Sequence, residues 1–256
     1  REKILRFLDL DIHDSLCQAM RSKGIRLLNS ENVSGIRIET QKRDHEGVVY
    51  LESGRKVRAE RVHVAAGRES NVDALGLENI GITTDETGLI KVDETYRTTC
   101  ENVHAIGDVI GFPALASTSM HQGRLAVLHA RGQEVPREAV LPMAIFTIPE
   151  VSAVGLTEEE CRMQGLTYEV GIARTGETPR GQIVRDEGLL KLIFRRDTRE
   201  ILGVHMIGVA ASDLIHVGMM LVHTGGTIDH ILSAVFNYPT LSEAYRIAAL
   251  DGVNRL

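Results

Sequence analysis

Residues 101–115 read Glu101-Asn102-Val103-His104-Ala105-Ile106-Gly107-Asp108-Val109-Ile110-Gly111-Phe112-Pro113-Ala114-Leu115. Val103, Ala105 and Ile106 predict a short buried strand, and Gly107 allows the backbone to come close to a neighbour. Asp108 then stands at the strand's carboxyl end, the edge at which open α/β sheets bind ligands. A carboxylate there finds its natural partner in a sugar or polyol hydroxyl. Further on, apolar or small residues recur at Ala116, Met120, Gly123, Val127 and Ala130. That period predicts a helix whose amino end lies within residues 114–117.

A strand ending in Gly-Asp is common in α/β proteins, so the motif alone leaves the ligand open. The helix narrows the choice. Its first N–H groups and the positive end of its dipole would face a ligand beside Asp108. Such a setting suits the negative charge that a reduced flavin carries around its N1 and C2 oxygen.

Ala105-Ile106-Gly107-Asp108-Val109 with Leu115-Ala116-Ser117 resembles the second flavin-contacting segment of the class I pyridine nucleotide-disulfide oxidoreductases, the flavoproteins with two dinucleotide-binding domains. Dihydrolipoamide dehydrogenase, glutathione reductase and mercuric reductase belong to that family. Ala65-Ala66-Gly67-Arg68-Glu69-Ser70-Asn71 is similar to the family's crossing from nicotinamide domain to flavin domain, with Ser70 where a Pro usually stands. Phe236-Asn237-Tyr238-Pro239-Thr240-Leu241-Ser242-Glu243-Ala244-Tyr245-Arg246 and the ending Gly252-Val253-Asn254-Arg255-Leu256 resemble its pyridine nucleotide transhydrogenase branch. Residues 178–184, 191–203 and 216–218 extend that likeness.

The resemblance implies FAD as cofactor, with NAD(H) and NADP(H) as substrates. Asp108 and Gly107 would serve the ribityl chain, Leu115 and Ala116 the pyrimidine edge of the flavin ring, and Gly67 and Arg68 the cofactor at the domain crossing. It also implies a fold: an α/β, Rossmann-like part followed by an α+β dimerisation domain, an antiparallel sheet with helices on one side. Residues 1–66 would end the NAD(P)-binding domain, 67–133 the FAD-binding domain, and 137–256 would join two copies in a homodimer or larger homo-oligomer. In the family pattern Arg1 falls just after the second nucleotide-binding unit, so this is expected to be the carboxyl-terminal part of a longer protein. Consistent with that, the chain has no G-x-G-x-x-G loop to cradle a pyrophosphate.

Composition sets further bounds. The chain's 256 residues, 43% of them hydrophobic, suffice for one or two ordinary cores. A formal charge of -6, from 29 basic and 35 acidic side chains, argues against nucleic acid as a partner. No apolar run approaches the roughly 18 residues of a membrane span, which argues against a membrane. Cys17, Cys100 and Cys161 are scattered and odd in number, which speaks against a disulfide framework and fits a reducing cytoplasm.

Local patterns predict the elements. Asp9 caps a helix carrying Ile12, Leu16, Ala19 and Met20 and ended by Gly24; strands follow at 25–28, 33–38, 48–51 and 62–65, with a polar loop over 41–47. A linker is expected at 132–137, around Gly132 and Pro136. After it, strands are predicted at 144–148, 151–155, 168–173, 189–194 and 201–207, with a tight turn at 197–200. Thr157 and Glu160 form a capping box, and helices are expected at 212–222, 228–235 and 241–250.

Several side chains invite a chemical role. In relatives that reduce disulfides a His precedes the Pro of the carboxyl-terminal motif, whereas Tyr238 stands here. A phenol titrates near pH ~10 and an imidazole near ~6.5, so the phenol is a poor base at neutrality. The substitution matches hydride exchange through flavin alone, with no protein thiol. Tyr238 itself is read as a packing residue, and Glu243 as the partner of Thr240 in a second capping box. His216, His223 and His230 recur every seven positions, about 10.5 Å along a helix, too far apart for one metal ion. Arg180 has no derivable role.

Two alternatives remain: a non-catalytic dimerisation module, favoured for the isolated chain because both phosphate loops are absent, and a dihydrolipoamide dehydrogenase-like disulfide reductase, which needs a C-x-x-x-x-C pair upstream.

Overall fold

The computed structural model describes residues 3–41, 44–135 and 140–256. They form two compact units, one made of Arg1–Arg61 with Val140–Leu256 and the other of Val62–Ala139.

In the first unit a five-stranded antiparallel sheet has the order β4-β5-β8-β7-β6, with β4 Met143–Ile145, β5 Glu150–Gly155, β6 Tyr168–Arg174, β7 Leu189–Arg195 and β8 Ile201–Gly208. Every residue of β8 is buried, and so is every residue of β7 but its last. A strand covered on both faces needs no polar alternation, which explains apolar runs interrupted by Lys191 and His205 rather than at every second residue. On one face Leu190, Leu192, Phe194, Val204 and Met206 pack against α5 (Ala211–Thr224), α6 (Ile228–Ser233) and α7 (Glu243–Val253). The opposite face is covered by α1 (Leu10–Ser22), whose Ile12 and Leu16 meet Val151, Leu189 and Ile207. Beside it α3 (Glu158–Met163) adds Cys161 against Ile193 and Leu202.

Capping follows the sequence closely in two places. Asp9 accepts the Asp11 amide at the start of α1, and Thr157 with Glu160 completes the expected capping box of α3. The helix α4 (Pro179–Val184), capped by Thr178 with Pro at its first turn, was not expected from the sequence. The same holds for β3, which completes a separate three-stranded antiparallel sheet of β1 (Val33–Gln41), β2 (Asp44–Leu51) and β3 (Lys56–Ala59).

Several expected strands do not form. The polar loop foreseen at 41–47 is instead mostly ladder, with Gln41 opposite Asp44 and Gly47 opposite Ile38; residues 42 and 43 lie outside the described ones. Backbone pairing is indifferent to how polar the side chains are. Conversely, residues 25–28 and 62–65 are apolar but lie in no ladder, and Ile25 and Val64 are exposed. A strand exists only where a neighbour accepts its hydrogen bonds, and no described strand pairs with either segment.

The second unit is built mainly from turns. Two 3₁₀ turns, Asp73–Leu75 and Leu77–Ile80, precede a small core of Ile82, Ile90 and Ala105. Asp85 and Asp93 organise equivalent loops, each accepting the amide and hydroxyl of the Thr two residues on. Around Val103 to Ile106 the expected strand shrinks to a single bridge between Arg97 and His104, joined by the Ala105 amide to the Tyr96 carbonyl. Then α2 (Ala116–Ala130) follows. Of the foreseen linker, Gly132 ends α2 with a left-handed φ of 62°, while Pro136 and Arg137 lie outside the described residues.

Candidate functional site

Gly107-Asp108 opens a 3₁₀ turn, Gly107–Ile110, rather than closing a strand. Gly107 holds a φ of 78°, and a Cβ there would come within 2.9 Å of Ser119 Oγ, so only glycine fits comfortably. Its amide donates to Gln122 Oε1 at 2.7 Å, a buried bond that ties the turn to α2. Ser119 and Gln122 were not singled out in the sequence. Their signal was present: Thr118, Gln122, Leu125 and Ala126, the buried residues of α2, also recur at helical spacing. The stripe that the sequence favoured is largely the outer one, with Met120 and Val127 exposed. On a helix with two acceptable stripes, only the neighbours decide which is covered.

Asp108 keeps its carboxylate half-exposed and pairs with Arg68, Oδ2 to Nη1 at 2.7 Å. Two expected site residues, distant in sequence, therefore meet. Gly67, next to Arg68, has a φ of 144° and open space where a Cβ would stand. Leu115 is the N-cap of α2 without any side-chain cap, and the first turn contains no acidic residue. Leu115's own amide is spent on the Pro113 carbonyl at 2.8 Å, so the amides free of an intrahelical acceptor begin at Ala116. Two open concavities in this unit, about 560 and 430 Å³, have walls built from residues such as Lys91, Arg97, Glu101 and His129, and Asp108 is in neither.

At the carboxyl-terminal motif the expectations are corrected. Thr240 Oγ1 donates to the Asn237 carbonyl at 2.8 Å, and the N-cap of α7 is Ser242, so Glu243 occupies the first helical position and no capping box forms. Glu243 Oε2 is buried without a hydrogen-bond partner among the described residues. Tyr238 is 71% exposed in the single chain. Of the recurring histidines, His216 bonds the Asp213 carbonyl and His230 caps Thr227. The three cysteines are free, and burial pushes the thiols of Cys17 and Cys161 up, the opposite of an activated thiolate.

Comparison with known proteins agrees with this arrangement. Residues 1–123 match the family described as pyridine nucleotide-disulphide oxidoreductase, and residues 141–249 match the dimerisation domain of the same family. The chain belongs to the pyridine nucleotide-disulphide oxidoreductases. Among members of this family, the soluble pyridine nucleotide transhydrogenase of Serratia proteamaculans is 41% identical over all of this chain and 56% of its own length. That of Photorhabdus laumondii is 42% identical with the same coverage. The chain thus spans little more than half the length of these curated relatives. Solved structures give the same picture at 26% identity. The HOCl-induced flavoprotein disulfide reductase RclA from Escherichia coli matches 96% of this chain and 56% of its own with a TM-score of 0.88. LpdA from Mycobacterium tuberculosis matches 94% and 52% with a TM-score of 0.85.

No described helix is long and apolar enough to cross a membrane.

Proposed function

We propose that this chain is the carboxyl-terminal portion of an FAD-dependent NAD(P)+ transhydrogenase that moves hydride between NADPH and NAD+. The observation that carries the reading is the likeness to soluble pyridine nucleotide transhydrogenases over the whole chain, at 41% identity, with Tyr238 where disulfide-reducing relatives place a His. Buried, unactivated thiols point the same way.

The donor set suits the flavin. A half-exposed carboxylate at Asp108 accepts hydrogen bonds from a polyol, and the uncapped first turn of α2, from Ala116, offers amides and a positive dipole end to an anionic ring edge. Arg68 orients Asp108, while Gln122 and Gly107 hold the turn against the helix. When bound, FAD supplies the hydride acceptance and return that no side chain here can perform. Residues 1–66 and 67–133 would then end the NAD(P)-binding and FAD-binding domains, and 137–256 would form the dimerisation domain. Phe146, Ile148, Val235 and Tyr238, all exposed in the last segment, support its pairing with a second copy. Free thiols and the net charge of -6 support a cytoplasmic protein that works without nucleic acid.

The test is NADPH-driven reduction of an NAD analogue by the full-length protein loaded with FAD. Turnover well above that of free flavin is expected; a rate no higher than free flavin overturns the reading. For the chain alone, the missing phosphate loops favour a non-catalytic module, and FAD titration distinguishes the two. A saturable shift in flavin absorbance would count against the module.

A further inference from the structure

Lys191 points out of the middle of β7 into the interior and is 0% exposed. Its ammonium meets three carboxylates: Asp9 at 2.7 Å, Asp11 at 2.5 Å, and Glu158. Two of these belong to the start of α1 and the third to the first turn of α3. Asp9 links the two helix starts directly, since its Oδ1 takes the Asp11 amide and its Oδ2 the Glu158 amide. Glu158 is held in turn by the Tyr168 hydroxyl at 2.7 Å and lies 3.7 Å from Arg162. Across the sheet Lys191 stands opposite His205, whose Nε2 is engaged with the Leu156 carbonyl.

The carboxylate oxygens of Asp9, Asp11 and Glu158 lie within 4.8 Å of one another, the spacing of a cation site, and the lysine fills it. Without that ammonium three negative charges would crowd one another around the buried Asp9, with Glu158 and Asp11 24% and 48% exposed at its edge, an arrangement that is unfavourable. Asp9 and Asp11 belong to the segment that matches the pyridine nucleotide-disulphide oxidoreductase family, residues 1–123, and Lys191 and Glu158 to the match to its dimerisation domain, 141–249. Beside these charges Leu8, Ile12 and Leu16 pack over Val151, Leu189 and Ile207, with further partly buried apolar residues around them.

We propose that Lys191 is a built-in counter-cation that latches α1 onto the dimerisation sheet. The latch also sets a neighbouring cleft of about 610 Å³, one wall of which is Ser15, Gln18 and Ser22 of α1 with Lys23 just past its end, and the other Arg174 and Asp186. Freeing α1 opens that wall. The latch is independent of the transhydrogenase reading, because it involves no cofactor.

Hydrogen exchange of the chain tests it. In K191M the amides of residues 10–22 are expected to exchange at least tenfold faster while those of β7 and β8 stay protected. Millimolar Mn²⁺ or Ca²⁺ should restore protection, since the vacated oxygens can take a hard cation. The variant D9N/D11N/K191M, which removes two of the three charges and keeps an N-cap, should be protected without metal. If K191M does not fold, folding of the triple variant supports the latch, and failure of both overturns it. Protection of α1 unchanged in K191M, or a loss that neither cation nor charge removal reverses, shows that Lys191 is only a packing group.

Discussion

Tyr245 offers a sharp test of how the dimerisation sheet holds its helices. Fully buried in α7, it donates its hydroxyl proton to the Leu214 carbonyl at 2.8 Å and accepts the Gly218 amide at 3.1 Å. Those two groups stand at i and i+4 of α5, so the hydroxyl bridges successive turns of one helix. Gly218 is glycine because a Cβ there would press into Val204 at 2.7 Å, so α5 lies tight on β8, and Tyr245 staples it. Tyr245→Phe keeps the ring and removes only the oxygen, leaving no new apolar surface to account for. Losing two buried hydrogen bonds at about 1 kcal/mol each costs about 2 kcal/mol. For a chain of this size that corresponds to a Tm lowered by about 4–8 °C. The assay is a calorimetric melt paired with exchange at the Gly218 amide, which should accelerate. A Tm within about 1 °C of wild type, together with unchanged Gly218 exchange, would show that α5 closes its own ladder and that the staple contributes nothing.

Acid should weaken the first unit in two stages. Burial pushes the His205 imidazole below its ordinary 6.5, despite its bond to the Leu156 carbonyl. The unfolded chain then binds more protons than the folded one, so stability is complete above pH ~6.5 and falls as pH drops. Burial raises the carboxyls of Asp9 and Glu158, but the Lys191 bonds outweigh it and leave both below their ordinary 3.8 and 4.5, which adds a further loss below those values. Urea midpoints between pH 7.5 and 4 should decline steadily, and a midpoint that rises from 7 to 5 would contradict this. In the full-length protein Asp108→Ala should weaken FAD binding about tenfold or more, the scale of a lost hydrogen bond to a charged group; fluorescence titration reads it, and wild-type affinity would remove Asp108 from the site. Gly171→Ala places a Cβ against the Ala248 carbonyl where α7 crosses β6, so a loss of about 1–3 kcal/mol from overpacking is expected in chemical denaturation. An unchanged midpoint would mean that the helix can shift outward.

Where a signal is local, the sequence determined the outcome. The Thr157–Glu160 box, the Asp9 cap and the five strands of the larger sheet follow from hydrogen bonds and periodicities confined to a few residues, and they stand in the structure close to where the pattern puts them. Glycine at 107 is legible in part, since the close approach expected there is made to Ser119, whereas the turn with its left-handed φ stands where a strand end was expected. What required tertiary structure was every choice between equivalent local options. Two stripes of α2 satisfy helical spacing, and the packing around Gly107 selected the one with Gln122. Residues 25–28 and 62–65 have strand-like composition, but no described strand completes a ladder with them. Lys191 sits in an apolar strand pattern as an apparent interruption, and its meaning depends on carboxylates 180 and 182 residues earlier in the chain. Arg68 and Asp108 meet for the same reason. Backbone propensity and capping act within a turn or two of the chain, whereas charge pairing and coverage of an apolar face depend on which distant segments the fold brings together.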